Sequence, residues 1–263
     1  MTKHTEETES FSGGSNLDYL VRSVMRNGDR VESRYGTTRE IIGGRLRVES
    51  GSLIQRPGIN YNLGFMEMYQ LLGGIYDPEA IQRVAPKADL SLFTPDMAYG
   101  PRIVDQISPI LEALRKDQRT RQAVVFVGKP DNGPTSSLPC TITIQFFIRP
   151  GKRLADNFIH AYVNMRSWDL CRGLPYDIMM FSGLLEIVGR CLNYQAGNIT
   201  VCAGSTHIYS DQMDKIPYLS NRTWQFNEQV PDVWGDCVNW FRNEIPRMEY
   251  GKVPFGIKYG ERG

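Results

Sequence analysis

Three strand-like segments followed by one long apolar helix constrain the fold of this 263-residue chain most strongly. The segments QAVVFVG (122–128), TITIQFFIR (141–149) and NFIHAYVNMR (157–166) are rich in β-branched and aromatic residues, and a PGKR turn (150–153) separates the last two as in a hairpin. The helix is indicated by apolar residues at steps of three and four, namely Ile178, Phe181, Leu185, Val188 and Leu192. This order predicts a single α/β (α+β) domain in which helices pack on a mixed, largely antiparallel sheet.

Weaker patterns indicate the remaining elements. Residues 1–14 are polar and rich in Gly and Ser, which predicts a flexible tail before one folded domain over 15–263. The β-rich segment 39–48 contains a glycine pair that suggests a bulge or a turn. Pro109 is expected to kink or delay its helix. Helices are predicted from the caps Ser15 and Asn16 as far as Gly28, and over 63–72, 104–117 and 233–245.

Charge and cysteine content argue against several classes of protein. Lys plus Arg is 30 and Asp plus Glu is 29, and the net charge of +1 gives no sign of nucleic-acid binding. No stretch of about 18 apolar residues occurs, and the N-terminus lacks the apolar region of a signal peptide, so we expect no membrane association and a cytoplasmic location. The five cysteines are odd in number and form no CxxC pair, so we expect neither a disulfide framework nor a metal site.

Cys140 is the candidate nucleophile. It follows the loop DNGPTSS (131–137) and directly precedes a strand, so it can face a cleft. A neighbouring cation would lower the pKa of its thiol. A buried structural thiol is the commoner role for any single cysteine. We assign that role to the other four, Cys171, Cys191, Cys202 and Cys237.

Two further blocks contain polar side chains suited to an anionic ligand. Arg166 and Ser167 can jointly hold a phosphate, because arginine presents a planar fork of donors. Asp177 lies near the first turn of the long helix, where a carboxylate also has the simpler role of stabilising the helix dipole. His207 and Tyr209 share one side of an extended segment, although a single histidine is more often structural. These residues alone indicate an α/β enzyme with a candidate thiol nucleophile.

Together these segments resemble the thymidylate synthase superfamily. The blocks PC (139–140), RSWDLCRGLPYD (166–177) and HIYSDQMD (207–214) occur in the order and spacing of that family. The resemblance extends over about residues 17 to 220 and includes RYGT (34–37), Glu67, Tyr99-Gly100, DQISPILEALRKD (105–117) and TRQ (120–122). It implies a homodimer that binds a pyrimidine nucleoside monophosphate and 5,10-methylenetetrahydrofolate.

The resemblance also implies roles for individual residues. Cys140 would add to C6 of the pyrimidine ring, so that C5 becomes nucleophilic and attacks the one-carbon unit of the folate. Gln122 stands where the family usually has a second arginine. The implied catalytic set is Cys140, Glu67, Tyr99 and Asp177. The implied substrate ligands are Arg34, Arg166, Ser167 and Asp177, with His207 and Tyr209 on the sugar and Arg121 reaching the phosphate across the dimer interface. The implied folate-binding residues are Asp169 and Gly173.

Asp177 is the most informative departure from thymidylate synthases. Those enzymes have an asparagine here, whose amide matches the N3–H donor and the O4 acceptor of uracil. Cytosine presents the reverse, an N3 acceptor beside an N4 amino donor. A carboxyl group accepts from N4 and, with one shared proton, also bonds N3. Because mismatched buried polar groups discriminate by up to about 10⁴-fold, Asp177 predicts a cytosine base.

Three other departures concern the folate side. Met165 replaces a typical glutamine, SLFTPDMA (91–98) lacks the usual tryptophan pair, and FGIKYGERG (255–263) lacks the usual apolar closing tail. A wetter site would let water, instead of a folate hydride, quench the exocyclic methylene. The pattern resembles viral deoxycytidylate 5-hydroxymethyltransferases, whose location would be the host cytoplasm. Ser167 favours dCMP over CMP.

Three alternatives are retained. The first is a divergent thymidylate synthase that methylates dUMP, and the second is a CMP hydroxymethylase of nucleoside antibiotic biosynthesis. The third is a catalytically silent nucleotide-binding protein. Against this third alternative stands the retention of Cys140, Arg166, Asp169, His207 and Tyr209.

Overall fold

The computed structural model describes residues 13–33, 35–128, 138–149 and 157–262. Most of the predicted tail, the DNGPTSS loop, the PGKR turn and Arg34 lie outside these residues. The helices are α1 (Gly13–Asn27), α2 (Tyr61–Gly73), α3 (Pro78–Val84), α4 (Gly100–Lys116), α5 (Leu174–Leu192) and α6 (Trp234–Glu244). The strands are β1 (Asp29–Ser33), β2 (Gly36–Glu49), β3 (Ser52–Gln55), β4 (Val124–Phe126), β5 (Thr141–Arg149), β6 (Phe158–Asp169), β7 (Gln195–Tyr209), β8 (Tyr218–Phe226) and β9 (Ile257–Glu261).

A six-stranded sheet with the order β1–β2–β7–β6–β5–β4 forms the larger layer. Strands β6 and β7 pair in parallel and are joined by helix α5, as a parallel connection requires, whereas the other pairs of this sheet are antiparallel. A second, antiparallel sheet has the order β3–β8–β9. The prediction of a mixed, largely antiparallel sheet with packed helices is therefore confirmed.

Helix α5 lies at the centre of the apolar core. It packs against α2, β3, β6 and β7, and most of its side chains are buried. Its first residue, Leu174, comes five positions after the end of β6 at Asp169. This short connection brings the end of a strand and the start of a helix together. Among the described residues, no helix is long and apolar enough to cross a membrane.

Most of the predicted elements lie close to their expected bounds. Strand β5 spans the predicted residues 141–149, and α2 and α6 differ from prediction by one or two residues at each end. Strand β4 is shorter than the predicted 122–128, because the N–H groups of Val127 and Gly128 both donate to the Ile142 carbonyl oxygen and so end the regular ladder.

The predicted bulge or turn at the glycine pair was wrong, and so was the predicted delay of a helix by Pro109. The glycine pair in β2 does not shift the register, since Ile42 pairs with Ser205 and Gly44 with Ala203 along one continuous ladder. Gly43 instead adopts a φ of +80°, which glycine allows without strain. Helix α4 begins at Gly100 and continues through Pro109, so the proline does not delay it.

Candidate active site

Cys140 lies directly before β5, half-buried beside Arg166 of β6. The Arg166 backbone N–H donates to the Cys140 carbonyl oxygen at 2.8 Å. The Arg166 guanidinium donates from Nε and Nη2 to the Leu138 carbonyl oxygen at 3.1 and 2.8 Å. Burial raises the pKa of the Cys140 thiol, the Arg166 charge opposes this rise, and Asp177 and Asp169 add to it. The chain thus holds a cation near the thiol, but burial outweighs it and the pKa of the Cys140 thiol is raised overall.

The phenol of Tyr99 is fixed next to the same strand. Its oxygen accepts the backbone N–H of Thr141 at 3.2 Å, one residue after Cys140. Burial raises the pKa of Tyr99 far above its usual value, and the nearby Asp177 and Cys140 raise it further. The phenol therefore keeps its proton at neutral pH and remains a hydrogen-bond donor.

Asp177 lies in the first turn of α5 and is 8% exposed. The indole Nε1–H of Trp168 donates to Asp177 Oδ2 at 3.0 Å. Burial raises the pKa of Asp177 to about 7, the bond from Trp168 lowers it, and the nearby Asp169 raises it. A carboxylate stabilises a helix dipole equally well at an exposed position. Stabilisation of the dipole therefore does not explain why Asp177 is buried.

Glu67 lies on α2. Its Oε2 atom is buried and has no hydrogen-bond partner among the described residues. Burial, with a smaller contribution from the nearby Asp177, raises the pKa of Glu67 to about 8. An unpaired buried polar atom indicates a missing partner such as a ligand or a water molecule.

One cavity of about 170 Å³ brings three of these side chains together. Glu67, Tyr99 and Asp177 line it, and Phe93 and Thr94 come from the segment before α4. The Thr94 hydroxyl oxygen is also buried and without a partner in the described part of the chain. The cavity is therefore an apolar pocket with a few polar groups directed into it, which is the usual form of a small-molecule site.

Asp169 ends β6 and organises the turn into α5. Its Oδ1 atom accepts the backbone N–H groups of Cys171 and Arg172 at 2.8 and 2.9 Å. Burial raises the pKa of Asp169, and these two bonds oppose the rise. A Cβ atom on Gly173 would lie 3.1 Å from Asp177 Oδ2 and 3.2 Å from the Asp169 carbonyl oxygen, so this tight turn favours glycine.

Parallel pairing of β6 with β7 places His207 opposite Asp169 and Ser205 opposite Ser167. The Ser205 hydroxyl donates to Glu40 Oε2 at 2.5 Å and lies 3.2 Å from His207 Nδ1. Because the hydroxyl proton goes to Glu40, Nδ1 is the donor to Ser205, and Nε2 of a neutral His207 is left as an acceptor. Burial lowers the pKa of His207, although Asp169 and Glu40 oppose this, so the ring is neutral at pH 7.

The His207 and Tyr209 rings pack edge to face with centroids 5.3 Å apart, so the prediction that they share one side is confirmed. Arg172 lies over the Tyr209 ring at 4.6 Å and pairs with Asp211 at 2.6 Å. Sequence reasoning missed Arg172, Trp168, Glu40 and Ser205. Arg172 and Trp168 stand inside the RSWDLCRGLPYD block, which was the available signal.

Arg121 is not part of this cluster within one chain. The Arg121 carbonyl oxygen accepts from Gln145 Nε2 at 2.7 Å, so Arg121 lies beside β5. Gln145 is five residues after Cys140 along the chain. Five strand residues span about 17 Å. Arg121 lies at the end of the β4–β5 pair away from Cys140, and its proposed role in the site therefore requires a second copy of the chain.

A sequence profile of the family described as Thymidylate synthase matches residues 61–234. This is more than half of the chain, which therefore belongs to the thymidylate synthase family, and its mixed sheet with packed helices is consistent with the fold of that family. The thymidylate synthase of Leuconostoc mesenteroides is 25% identical over 196 residues, which are 72% of this chain and 55% of that protein. The thymidylate synthase of Bacillus subtilis subsp. natto is 26% identical over 132 residues, which are 50% of this chain and 44% of that protein.

The chain thus spans about half the length of the relatives that it matches. Within the described ranges, no group of three or more His, Cys, Asp or Glu side chains is arranged to hold a metal ion.

Proposed function

We propose that the chain catalyses folate-dependent 5-hydroxymethylation of a cytosine nucleoside monophosphate, and that it prefers dCMP to CMP. The observation that carries this proposal is the buried Asp177 carboxyl group in the cavity, whose pKa is raised to about 7. A carboxyl group that shares a proton at neutral pH bonds both N3 and the N4 amino group of cytosine. Ser167, which lies opposite Ser205, supports the preference for deoxyribose by resemblance alone.

In the proposed reaction, the Cys140 sulfur adds to C6 of cytosine, and the Arg166 guanidinium stabilises the thiolate that attacks. Methylenetetrahydrofolate, when bound, supplies a one-carbon unit at the oxidation level of formaldehyde. Glu67, whose pKa is raised to about 8, and the protonated Tyr99 move protons around the base. After C5 has bonded to the one-carbon unit, the C5 proton would be lost and tetrahydrofolate would leave, which gives the exocyclic methylene of the base. Water then adds to this methylene, Cys140 leaves C6, and no dihydrofolate forms.

The lining of the cavity offers contacts to a ring of the folate co-substrate. Phe93 and Tyr76 line it, and the unpartnered Thr94 hydroxyl and Glu67 Oε2 atoms are available to polar edges of a ring system. Asp169 and Gly173 are proposed to complete the folate site. The two backbone bonds to Asp169 occupy its Oδ1 atom, so Oδ2 is the oxygen that would accept from the pterin.

Entry of water is supported by the surroundings of the cavity. The wall before α4 includes Phe93 and Met97, and no tryptophan is among the described lining residues. Residues 257–261 form β9 and pair with β8, and the Arg262 N–H donates to the Asn221 carbonyl oxygen. This segment is therefore bound to the second sheet, away from the cavity walls. On this proposal, water and not a folate hydride adds to the exocyclic methylene.

A homodimer is part of the proposal. Burial alternates along β5 and β6, so that Phe147 and Tyr162 lie on the half-buried face of the sheet, and Phe126 of β4 is 56% exposed. A second copy packed on this face would bury these rings and bring Arg121 to the phosphate of the neighbouring site.

Incubation with methylenetetrahydrofolate and each of dCMP, CMP, dUMP and UMP tests the proposed function. Mass spectrometry is expected to find 5-hydroxymethyl-dCMP as the main product, with no rise in dihydrofolate absorbance. The second candidate, methylation of dUMP, is favoured by the names of the two relatives. It predicts dTMP and a stoichiometric rise in dihydrofolate, and that result would replace our proposal.

Mixing two inactive variants tests the role of Arg121. If Arg121 acts across the interface, heterodimers of Arg121→Ala and Cys140→Ser contain one intact site, and random exchange restores about a quarter of wild-type activity. Failure of the mixture to regain activity, although subunits exchange, excludes the role of Arg121 in the partner's site.

A further inference from the structure

Three polar side chains form a hydrogen-bonded chain across the β2–β7 pair. Glu40 of β2 pairs with His207 of β7, and Ser205 lies on the same side of β7 as His207. The Ser205 hydroxyl donates to Glu40 Oε2 at 2.5 Å and lies 3.2 Å from His207 Nδ1. We propose that Glu40 is a positioning residue that acts through Ser205 on His207, so that the site selects sugars that donate a hydrogen bond to His207 Nε2. This inference rests on the proposed function.

The direction of this chain follows from the donors and acceptors of each group. A carboxylate only accepts hydrogen bonds, so the single proton of the Ser205 hydroxyl goes to Glu40. The distance of 2.5 Å between the two oxygens is that of a charge-assisted hydrogen bond. The Ser205 oxygen can then only accept from the ring. His207 Nδ1 therefore carries the ring proton, and Nε2 is an acceptor.

The surroundings of His207 keep its ring neutral, as this arrangement requires. The residue is 7% exposed, and burial lowers the pKa of the ring. The charges of Asp169 and Glu40 oppose this lowering. Those of Arg166 and Arg172 add to it. Removal of the Glu40 charge would lower the pKa further, so the ring stays neutral in a Glu40 variant and only the position of its proton can change.

The acceptor at Nε2 defines the sugar group that fits. The sugar of dCMP has one free hydroxyl, on C3′, which donates one hydrogen bond and also accepts. Donation to His207 Nε2 leaves its oxygen to accept from the Tyr209 hydroxyl, whose ring lies 5.3 Å from that of His207. A 3′-fluoro group is close in size to a hydroxyl but has no proton, so its fluorine would face the lone pair on Nε2. We therefore expect the site to reject it.

His160 of β6 provides an internal reference with the opposite tautomer. Its Nδ1 atom accepts the backbone N–H of Asn198 at 2.9 Å, so a neutral His160 carries its proton on Nε2. Burial lowers the pKa of this ring as well. One spectrum of the chain thus contains a half-buried histidine of each kind.

A ¹⁵N NMR spectrum of the histidine-labelled wild type tests the position of the ring proton. It is recorded at about pH 8, well above the usual pKa of histidine, where the chemical shifts separate protonated from unprotonated ring nitrogens. We expect His207 to be protonated at Nδ1 and His160 at Nε2. The His207 signals are identified by their loss in His207→Asn. A His207 ring that is protonated at Nε2, or at both nitrogens, overturns the inference.

Glu40→Met tests the role of the carboxylate, since it keeps the length of the side chain and removes both acceptor oxygens. Among the described contacts, His207 Nδ1 is then the acceptor left for the Ser205 hydroxyl, so the ring proton moves to Nε2. We expect the preference for dCMP over its 3′-fluoro analogue, measured as a ratio of kcat/KM, to fall by about three- to tenfold. The C3′ hydroxyl can rotate and accept from Nε2, so most of the change comes from better use of the analogue.

Glu32→Met is the matched control. Glu32 lies on β1 of the same sheet, and its Oε2 atom accepts from the Thr37 hydroxyl at 2.8 Å, so the control also removes a strand carboxylate that is bound by a hydroxyl. Its ratio for the two nucleotides should stay within about twofold of the wild type. An unchanged ratio in Glu40→Met overturns the inference. If Glu40→Met does not fold, the wild-type spectrum still decides it.

The two proposals fail in different ways. The spectrum needs no turnover, so a His207 ring protonated at Nε2 overturns the inference even in an enzyme that makes 5-hydroxymethyl-dCMP. A wild type that instead methylates dUMP overturns the proposed function. The ring proton and the preference for a C3′ hydroxyl are then tested in the same way, with dUMP and its 3′-fluoro analogue.

Discussion

The two sides of the candidate cleft differ in the protonation of their side chains. On the base side, defined by Glu67, Tyr99 and Asp177, burial raises the pKa of every group, so that Glu67 and Tyr99 hold protons at neutral pH and Asp177 is about half protonated. On the sugar side, defined by His207, Tyr209 and Arg172, the ring of His207 is neutral and Arg172 forms an exposed ion pair with Asp211. We infer that the base side performs the chemistry and selects the base, whereas the sugar side mainly binds.

Replacement of the nucleophile should have the largest effect. Cys140→Ser is expected to lower kcat by at least about 10⁴-fold, because a serine hydroxyl at this position has no base strong enough to ionise it. Turnover with dCMP and methylenetetrahydrofolate is the measurement. Cys202→Ser is the matched control, since this half-buried thiol on β7 accepts from the Tyr162 hydroxyl, and serine keeps that bond. Full turnover by Cys140→Ser would show that another group attacks C6.

The second largest effect should be a change in base preference. Asp177→Asn is expected to shift the ratio of kcat/KM for dCMP and dUMP by about 10² to 10³-fold toward dUMP, because an amide matches N3–H and O4 of uracil. Competition kinetics with both nucleotides measures this ratio. If the variant still strongly prefers dCMP, another residue selects the base and the distinction between the two sides is lost.

Burial of two acids on the base side should also make stability depend on pH. The pKa of Asp177 is about 7 and that of Glu67 about 8, so between about pH 5 and 8 the folded chain binds protons that the unfolded chain has released. Stability therefore falls as the pH rises through this window. Asp177→Asn should raise Tm by a few degrees at pH 8.5, and by much less at pH 5.

The control for this prediction is Asp211→Asn on the sugar side. Asp211 is exposed, and its hydrogen bond from Gln212 lowers its pKa, so it is ionised at both pH values. Its substitution should change Tm equally at both. A pH-independent effect of Asp177→Asn would show that its carboxyl group is not held protonated in the free protein.

The smallest effect is expected on the sugar side. Tyr209→Phe should raise KM for dCMP by about three- to tenfold and leave kcat nearly unchanged, because one hydrogen bond to the sugar is lost while the ring still packs against His207. Tyr218→Phe, at a tyrosine that is 52% exposed, is the matched control. A large drop in kcat for Tyr209→Phe would place proton chemistry on the sugar side as well.

Much of the fold could be predicted from the sequence because the central elements have strong periodic patterns. The apolar repeat of α5 and the β-branched residues of β5 are local signals. Strands β1, β3, β8 and β9 were not predicted. Strands β1, β3 and β9 are only four or five residues long, and β8 includes Asn221 and Arg222, so their pairing depends on distant partners.

The candidate site divides in the same way. The blocks around Cys140, Arg166 and His207 are continuous in the sequence, and their residues do cluster in space. The chain from Glu40 through Ser205 to His207 joins β2 to β7 over 165 residues, so no local pattern signals it. The hydrogen bond from Trp168 to Asp177 depends on the turn between β6 and α5. Because the two residues are separated by this turn, the sequence alone does not show that their side chains point toward each other.

The most direct test of the central claim is a competition in one vessel. Equal amounts of dCMP and dUMP are incubated with the wild-type chain and methylenetetrahydrofolate in water enriched in heavy oxygen, and the nucleotides are analysed by mass spectrometry. We predict that dCMP gains one carbon and one heavy oxygen, that dUMP is unchanged, and that no dihydrofolate accumulates. Formation of dTMP from dUMP, with dihydrofolate and no heavy oxygen in the product, would contradict the account.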